Sequence, residues 1–170
     1  VDIACRSIES SGYDEISFLS LSSSNYPFLI DVIDALNTRY EGKGINISVP
    51  SLRIEYFCSE LPDKIAMNRK TGLTFAPEAG TNRLRGKLNK KLDIEMLYKA
   101  AENAFRKGWK HIKLYFMIGL PTETDEDLKE IAEIAKHISA IGLSVDGKRR
   151  EVTLSVNSFI PKPHTSFQWA

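Results

Sequence analysis

The sequence is poor in the residues that carry several common chemistries. It has two cysteines, Cys5 and Cys58, far apart and in unlike surroundings. They form neither a disulfide framework nor the spacing of a metal site, and they read as free thiols of a reducing cytosol. No apolar run approaches the roughly 18 residues of a membrane span, and nothing at the N-terminus reads as a signal peptide. The expected location is therefore cytoplasmic. With 23 basic and 22 acidic residues the formal net charge is +1, so no general electrostatic pull toward nucleic acid or acidic lipid exists. Low-complexity tracts are missing, as are the phosphate-cradling patterns GxGxxG and GxxxxGK[ST]. What remains is 170 residues, 42% of them hydrophobic. That is one domain, spanning 1–170, by the usual size of roughly 100–200 residues.

A strict alternation of elements is present. The chain opens with VDIACRSIESSG, where Ile3, Ala4, Ser7, Ile8 and Ser11 share a helical face and Gly12 is a stop. A chain that opens inside a helix, without methionine, is expected to be a fragment of something longer. DEISFLSL (14–21) reads as a strand. Asn25 is the expected N-cap of a helix with Pro27 in its first turn, and Phe28, Val32, Ile33, Leu36 and Tyr40 make its stripe, ending near Gly42. INISVPSL (45–52) is a second strand, SELPDKIAMN a short helix, and TGLTFAPEAG (71–80) a third strand. A helical piece TNRLRGKL precedes a helix capped by Asp93, with Ile94, Leu97, Tyr98, Ala101, Ala104 and Phe105 inward and Gly108 closing it. HIKLYFMIG is the fourth strand. Thr124 and Asp127 make a capping-box start for a stripe of Leu128, Ile131, Ile134, Ala135, Ile138 and Ile141, with Gly142 as the expected end. EVTLSVNSFIPKPH supplies a fifth strand. This βαβ rhythm predicts an α/β fold, a parallel sheet with right-handed crossovers.

The strand faces refine the architecture. Ile112, Leu114, Phe116 and Ile118 alternate with His111, Lys113, Tyr115 and Met117, and Val152, Leu154 and Val156 with Thr153, Ser155 and Asn157. A sheet covered on both faces reads as continuous apolar runs, and a closed barrel fills its centre with bulky branched side chains. One apolar and one mixed polar face instead predict a curved, incomplete barrel with helices on its convex side and a ligand on its concave side.

In such a sheet ligands bind where strands run into helices, here at SLSSSN, PSLRIE, APEAGTNR, MIGLPTET and FIPKPHT. Glu78 ends a strand directly before Ala79-Gly80. Its carboxylate can accept from a ribose diol, or it can simply favour the dipole of the next helix. Gly119 lets backbone approach a flat ligand and Pro121 sets the turn; an ordinary strand-to-helix loop would use the same residues. Lys113, with His111 and Tyr115 on its face, suits either a polar lumen residue that binds substrate or the Schiff-base lysine of an aldolase-like or lyase-like barrel. His164 has no second ligand at metal spacing. A non-catalytic binding module is the third reading.

Three stretches together, TGLTFAPEAGTNRLR, KLYFMIGLPTETDEDL and VNSFIPKPHTSFQW, resemble the radical S-adenosylmethionine (radical SAM) superfamily. The likeness is to its Fe-S oxidoreductase branch, some members of which carry a B12-binding domain. The resemblance covers the whole chain and implies a (β/α)6 partial, TIM-like barrel lacking its first strand here. It implies S-adenosylmethionine across the top of the barrel, a [4Fe-4S] cluster, reductive cleavage to a 5′-deoxyadenosyl radical, and hydrogen abstraction from a substrate. On that pattern Ser20, Ser22 and Ser23 meet the methionine amino group. Glu78 and Gly80 contact the ribose, Ile118, Gly119 and Leu120 pack on adenine, and Phe159 and Ile160 lie beside it. Lys113, Tyr115, Asn157 and Lys162 are the substrate-side candidates. The departure is that the CxxxCxxC cluster loop is not in this sequence, so the chain by itself is expected to be inactive. The strand 14–21 is then expected as an exposed edge that pairs in a dimer or is covered by the opening helix.

Overall fold

Strands that alternate with helices leave each strand's next in-sheet neighbour one crossover away, so they run parallel. The computed structural model, which describes residues 1–20, 23–49, 54 and 72–170, has that architecture. Its elements are α1 (Asp2–Ser11), β1 (Glu15–Ser17), a 3-10 turn (Ser23–Asn25), α2 (Leu29–Arg39), β2 (Asn46–Ser48), β3 (Leu73–Glu78), α3 (Asn82–Lys87), α4 (Ile94–Arg106), β4 (His111–Ile118), α5 (Asp125–Asp146) and β5 (Glu151–Ser158). Leu21, Ser22, Cys58, the end of the expected second strand and the expected helix in SELPDKIAMN lie outside the described residues.

Every ladder is parallel, but a single five-stranded sheet is not what forms among the described residues. Instead β1 pairs with β2, and β3, β4 and β5 make a second sheet in that order. β1 and β2 pair over three residues each, from Glu15 opposite Asn46 to Ser17 opposite Ser48, too short a ladder to carry the larger sheet.

The core follows from the alternation. Phe75, Ile112, Leu114 and Phe116 point from the larger sheet into one apolar cluster with Leu97, Ala101 and Phe105 of α4 and Ile131, Ile134 and Ile138 of α5. Each fully buried aliphatic or aromatic side chain there contributes roughly 1.5–3 kcal/mol. His111, Lys113, Tyr115 and Met117 occupy the opposite face and stay half-buried. A smaller cluster joins α1, α2 and the short sheet through Ile8, Ile33, Leu36 and Ile47.

Three local expectations are corrected. On α1 the inward residues are Ala4, Cys5 and Ile8 while Ile3 is exposed, because cysteine packs as a small hydrophobe. Asn25 caps no α-helix: it closes the 3-10 turn, and α2 starts after Phe28, which faces solvent while Leu29 turns inward. Gly142 does not end α5, which continues to Asp146 and stops at Gly147 (φ 74°). Gly142 is needed mid-helix because a Cβ there would overlap the Arg150 side chain and come 2.9 Å from the Lys148 carbonyl oxygen.

Candidate functional site

The C-terminal ends of β3 and β4 bring the two most distinctive sequence joints together. Between Phe75 and Glu78 the β3–β4 register slips, so that Phe75 opposes Leu114 and Glu78 opposes Phe116. One extra residue on β3 makes this a bulge, and Pro77, with no N–H to donate, lies inside it. The chain leaves the bulge with Glu78 at φ 72°, a left-handed conformation that costs a non-glycine residue about 1–2 kcal/mol. On the adjacent strand Gly119 follows β4 at φ 78°. Both strands therefore turn sharply at the same rim.

Glu78 keeps its carboxylate about a quarter exposed, with Lys90 Nζ 3.5 Å away. Gly119 donates its N–H to Glu123 Oε2 at 2.6 Å, and among the described residues nothing lies within 4 Å of where its Cβ would stand. Ile118 is half-buried at the strand end and accepts from the Phe159 N–H at 2.8 Å. Leu120 is buried with Ala79 and Leu84, and Phe159 packs on that group. Phe159 also meets Phe167 edge-to-face, with centroids 5.9 Å apart. Ile160 is exposed.

Gly80 faces protein, not open space. A Cβ on it would overlap the Asp127 carbonyl oxygen and stand 3.0 Å from the Ile131 nitrogen. Its missing side chain lets the β3–α3 joint lie directly on the first turn of α5.

That contact is stitched by residues the sequence reading missed. Asp127, expected as a helix cap, does cap α5: its Oδ2 accepts from the Thr124 N–H and hydroxyl, each at 2.8 Å. The same carboxylate accepts from the Thr81 hydroxyl at Oδ1 and from Arg83 Nη2 at Oδ2. Thr81 in turn caps α3 by accepting from the Leu84 N–H at 3.2 Å, and Arg83 also donates to the Thr122 carbonyl at 2.9 Å. Asp127 is almost fully buried. Burial pushes its carboxyl up, but the hydrogen bonds from Thr81, Thr124 and Arg83 outweigh it and hold the group at about 2.

Arg85 is buried beside this staple and donates from Nη1 to the carbonyls of Ala79 and Gly80 at 2.7 and 2.8 Å. Its Nη2 reaches Asn82 Oδ1 at 2.7 Å, and its Nε has no partner among the described residues. Desolvation pushes the guanidinium below its usual value. Two arginines right after APEAG are the sequence signal that could have exposed this construction, since a helix of six residues offers little apolar reason to bury one.

The remaining expected residues spread over two places. Lys113 Nζ lies 5.0 Å from the Tyr115 ring centroid, an attraction between ammonium and ring face. Thr153 and Ser155 oppose Lys113 and Tyr115 in register, and Asn157 opposes Met117. His111 Nε2 lies 2.8 Å from Thr153 Oγ1. Lys162 is exposed in the C-terminal segment, where its carbonyl accepts from Thr165. His164, at φ 61°, donates its backbone N–H to Gln168. In the smaller sheet's loop, Ser20 is exposed, Ser22 lies outside the described residues, and Ser23 is buried with no hydrogen-bond partner for its hydroxyl among the described residues.

The bulged, left-handed end of β3 and the glycine turn after β4 lie at the C-terminal ends of parallel strands, where open α/β sheets bind their ligands. The Radical SAM superfamily profile matches residues 3–135, so the chain belongs to the radical SAM superfamily. A protein of Methanocaldococcus jannaschii described as uncharacterized protein MJ0966 is 33% identical over 155 residues, covering 91% of this chain and 32% of that protein. Among solved structures, coproporphyrinogen III oxidase (HemN) from Escherichia coli, described as a radical SAM enzyme, superposes with a TM-score of 0.56 at 15% identity. That match covers 91% of this chain and 33% of HemN, and at this identity it speaks for the fold. The chain thus spans about a third of the length of each of these two proteins.

The residues present fit a nucleoside ligand better than a metal cluster. The rim carboxylate of Glu78 and the open side of Gly119 suit the polar and flat parts of an adenosyl group. A [4Fe-4S] cluster needs several clustered thiolates. The chain has two cysteines, Cys5 is buried on α1, and no group of three metal-ligating side chains occurs among the described residues. Among those residues, no helix is long and apolar enough to cross a membrane.

Proposed function

We propose that this chain holds S-adenosylmethionine for a radical SAM oxidoreductase. In the intact protein, one-electron cleavage of the sulfonium–C5′ bond would give methionine and a 5′-deoxyadenosyl radical, which takes a hydrogen atom from substrate. The electron's [4Fe-4S] centre would be held by thiolates other than Cys5 and Cys58. The observation that carries the reading is the pairing of two left-handed strand ends, Glu78 and Gly119, on adjacent strands of one rim.

Each residue then has a job set by its chemistry. The Glu78 carboxylate accepts from the ribose diol. Its left-handed backbone is the kind of strain that persists only where surrounding structure over-determines it, and such outliers cluster at ligand sites. Ile118, Gly119 and Leu120 form the adenine side, where the missing Cβ of Gly119 leaves room for a flat ring. Phe159 and Ile160 border it. Ser20, Ser22 and Ser23 receive the methionine end, with the unpartnered Ser23 hydroxyl as the group that gains most from a polar ligand. Gly80 serves the site indirectly, by letting the rim rest on α5. Lys113, Tyr115 and Asn157 on the polar face, with Lys162 beyond it, are the substrate side.

Calorimetric titration of the intact protein with S-adenosylmethionine tests this. Glu78→Ala removes two charge-assisted hydrogen bonds worth on the order of 1.5–3 kcal/mol each, so affinity falls by more than tenfold while the melting temperature holds. Unchanged affinity would return Glu78 to a helix-dipole role.

A further inference from the structure

Two joints whose bonded residues lie 39 to 46 positions apart in sequence share a single carboxylate. Thr81 and Arg83 belong to the β3–α3 joint, and Thr122, Thr124 and Asp127 to the β4–α5 joint. Nothing about folding α5 requires this sharing. The capping box of α5 is complete with Thr124 and Asp127 alone. The additional bonds, from Thr81 and Arg83, do a different job: they fix the distance between the two joints.

The stitch also lies where slack would matter most. Glu78 stands three residues before Thr81, and Gly119 three residues before Thr122. Gly80, between them, has its Cα pressed on Asp127 and Ile131. Arg85 holds the carbonyls of Ala79 and Gly80 from the buried side. The β3 end is therefore clamped twice, once by a buried guanidinium and once by the Asp127 carboxylate, and the β4 end is tied to the same carboxylate. A buried acid fully engaged by donors and ionised is a rigid crosslink, because releasing any donor leaves charge unpaired in a dry site.

We infer that Asp127, with Arg83 and Thr81, is a positioning residue that sets the spacing between Glu78 and Gly119. It touches neither the ribose nor the adenine, and acts through the two joints it ties. This rests on the adenosyl site proposed above. A ligand that must reach both a carboxylate on one strand end and a backbone surface on the next binds only when that gap is right. The staple keeps the gap constant before the ligand arrives, so less ordering is left for binding to do.

Two variants separate this role from simple stabilisation. Asp127→Asn keeps an acceptor for the Thr124 N–H but loses the charge that gathers Thr81 and Arg83. Arg83→Gln leaves the α5 cap intact and removes Arg83's bonds to Asp127 and Thr122 from the crosslink; its side chain is half-exposed, so the fold tolerates the change. The probe is S-adenosylhomocysteine, titrated calorimetrically into the intact protein well below its melting temperature, with adenine alone as a second ligand. We expect each variant to weaken S-adenosylhomocysteine about tenfold, the loss of one charged hydrogen bond, and to leave adenine, which spans no gap, within about twofold. Restoring a shorter cation with Arg83→Lys should recover part of the loss. A purely structural Asp127 would lower the melting temperature of Asp127→Asn and leave both dissociation constants unchanged in Arg83→Gln; that result overturns the inference. Equal weakening of adenine and S-adenosylhomocysteine also overturns it, since the gap would then not be what changed. Failure of the unmodified protein to bind S-adenosylhomocysteine overturns the adenosyl reading itself and the inference with it.

Discussion

Replacing Gly80 by alanine adds one methyl group, and the structure says where it must go. The new Cβ would overlap the carbonyl oxygen of Asp127 and stand 3.0 Å from the Ile131 nitrogen and 3.1 Å from Glu130 Cβ. The first two neighbours are backbone in the opening turns of α5, so no side chain can swing aside. Either β3 lifts off α5 or α5 retreats. If α5 retreats, Asp127 leaves the Thr81 hydroxyl and Arg83; if the joint lifts, Arg85 loses the carbonyls of Ala79 and Gly80. Overpacking costs about 1–3 kcal/mol and a hydrogen bond to a charged group about 1.5–3 kcal/mol. The sum, about 2.5–6 kcal/mol, lowers the melting temperature by about 5–24 °C for a domain of this size. Gly119→Ala is the internal control. Space around it is open, and its left-handed φ of 78° carries only the conformational penalty, about 1–2 kcal/mol. Circular dichroism melts of the two variants side by side decide the matter. A Gly80→Ala melt within about 2 °C of the parent, or greater damage from Gly119→Ala, would refute the predicted clash with α5.

Two further outcomes follow from the same residues. Asp127 has a folded value of about 2 against the usual 3.8, so its stabilisation, about 2 kcal/mol by that difference, is complete above about pH 4 and disappears as the pH falls toward 2. Acid unfolding monitored by circular dichroism should be shallower over that interval in Asp127→Asn than in the parent, and identical slopes would count against the buried, donor-saturated carboxylate. Expressed alone and reconstituted anaerobically with iron and sulfide, the 170-residue chain, with its two cysteines, should hold no stoichiometric [4Fe-4S] cluster; a brown band near ~400 nm at one cluster per chain would show that two thiolates are enough.

Much of this protein was determined by local pattern. The period-2 alternation of HIKLYFMI placed Ile112, Leu114 and Phe116 in the core and Lys113 and Tyr115 on the polar face, because side-chain direction along a strand depends only on position parity. Asp93 and the Thr124–Asp127 pair marked helix starts for the same reason: capping is settled within one turn. The joints APEAG and GLPTET were legible as special, since proline and glycine act on their own backbone.

What local pattern does not contain is which groups meet across the fold. Gly142 reads as a stop, yet α5 runs through it because Arg150 packs on its bare Cα. Gly80 reads as a ligand-facing glycine, yet its open side is filled by α5. Phe28 and Leu29 exchange expected faces because α2 begins after a 3-10 turn that propensity does not specify. Arg85 is buried against sequence expectation, since a guanidinium is retained inside only when carbonyls converge on it. The staple of Asp127, Thr81 and Arg83 is the clearest case. Each residue alone is an ordinary cap or surface cation, and only the packing of α5 on the β3 end turns them into one crosslink at the rim of the site.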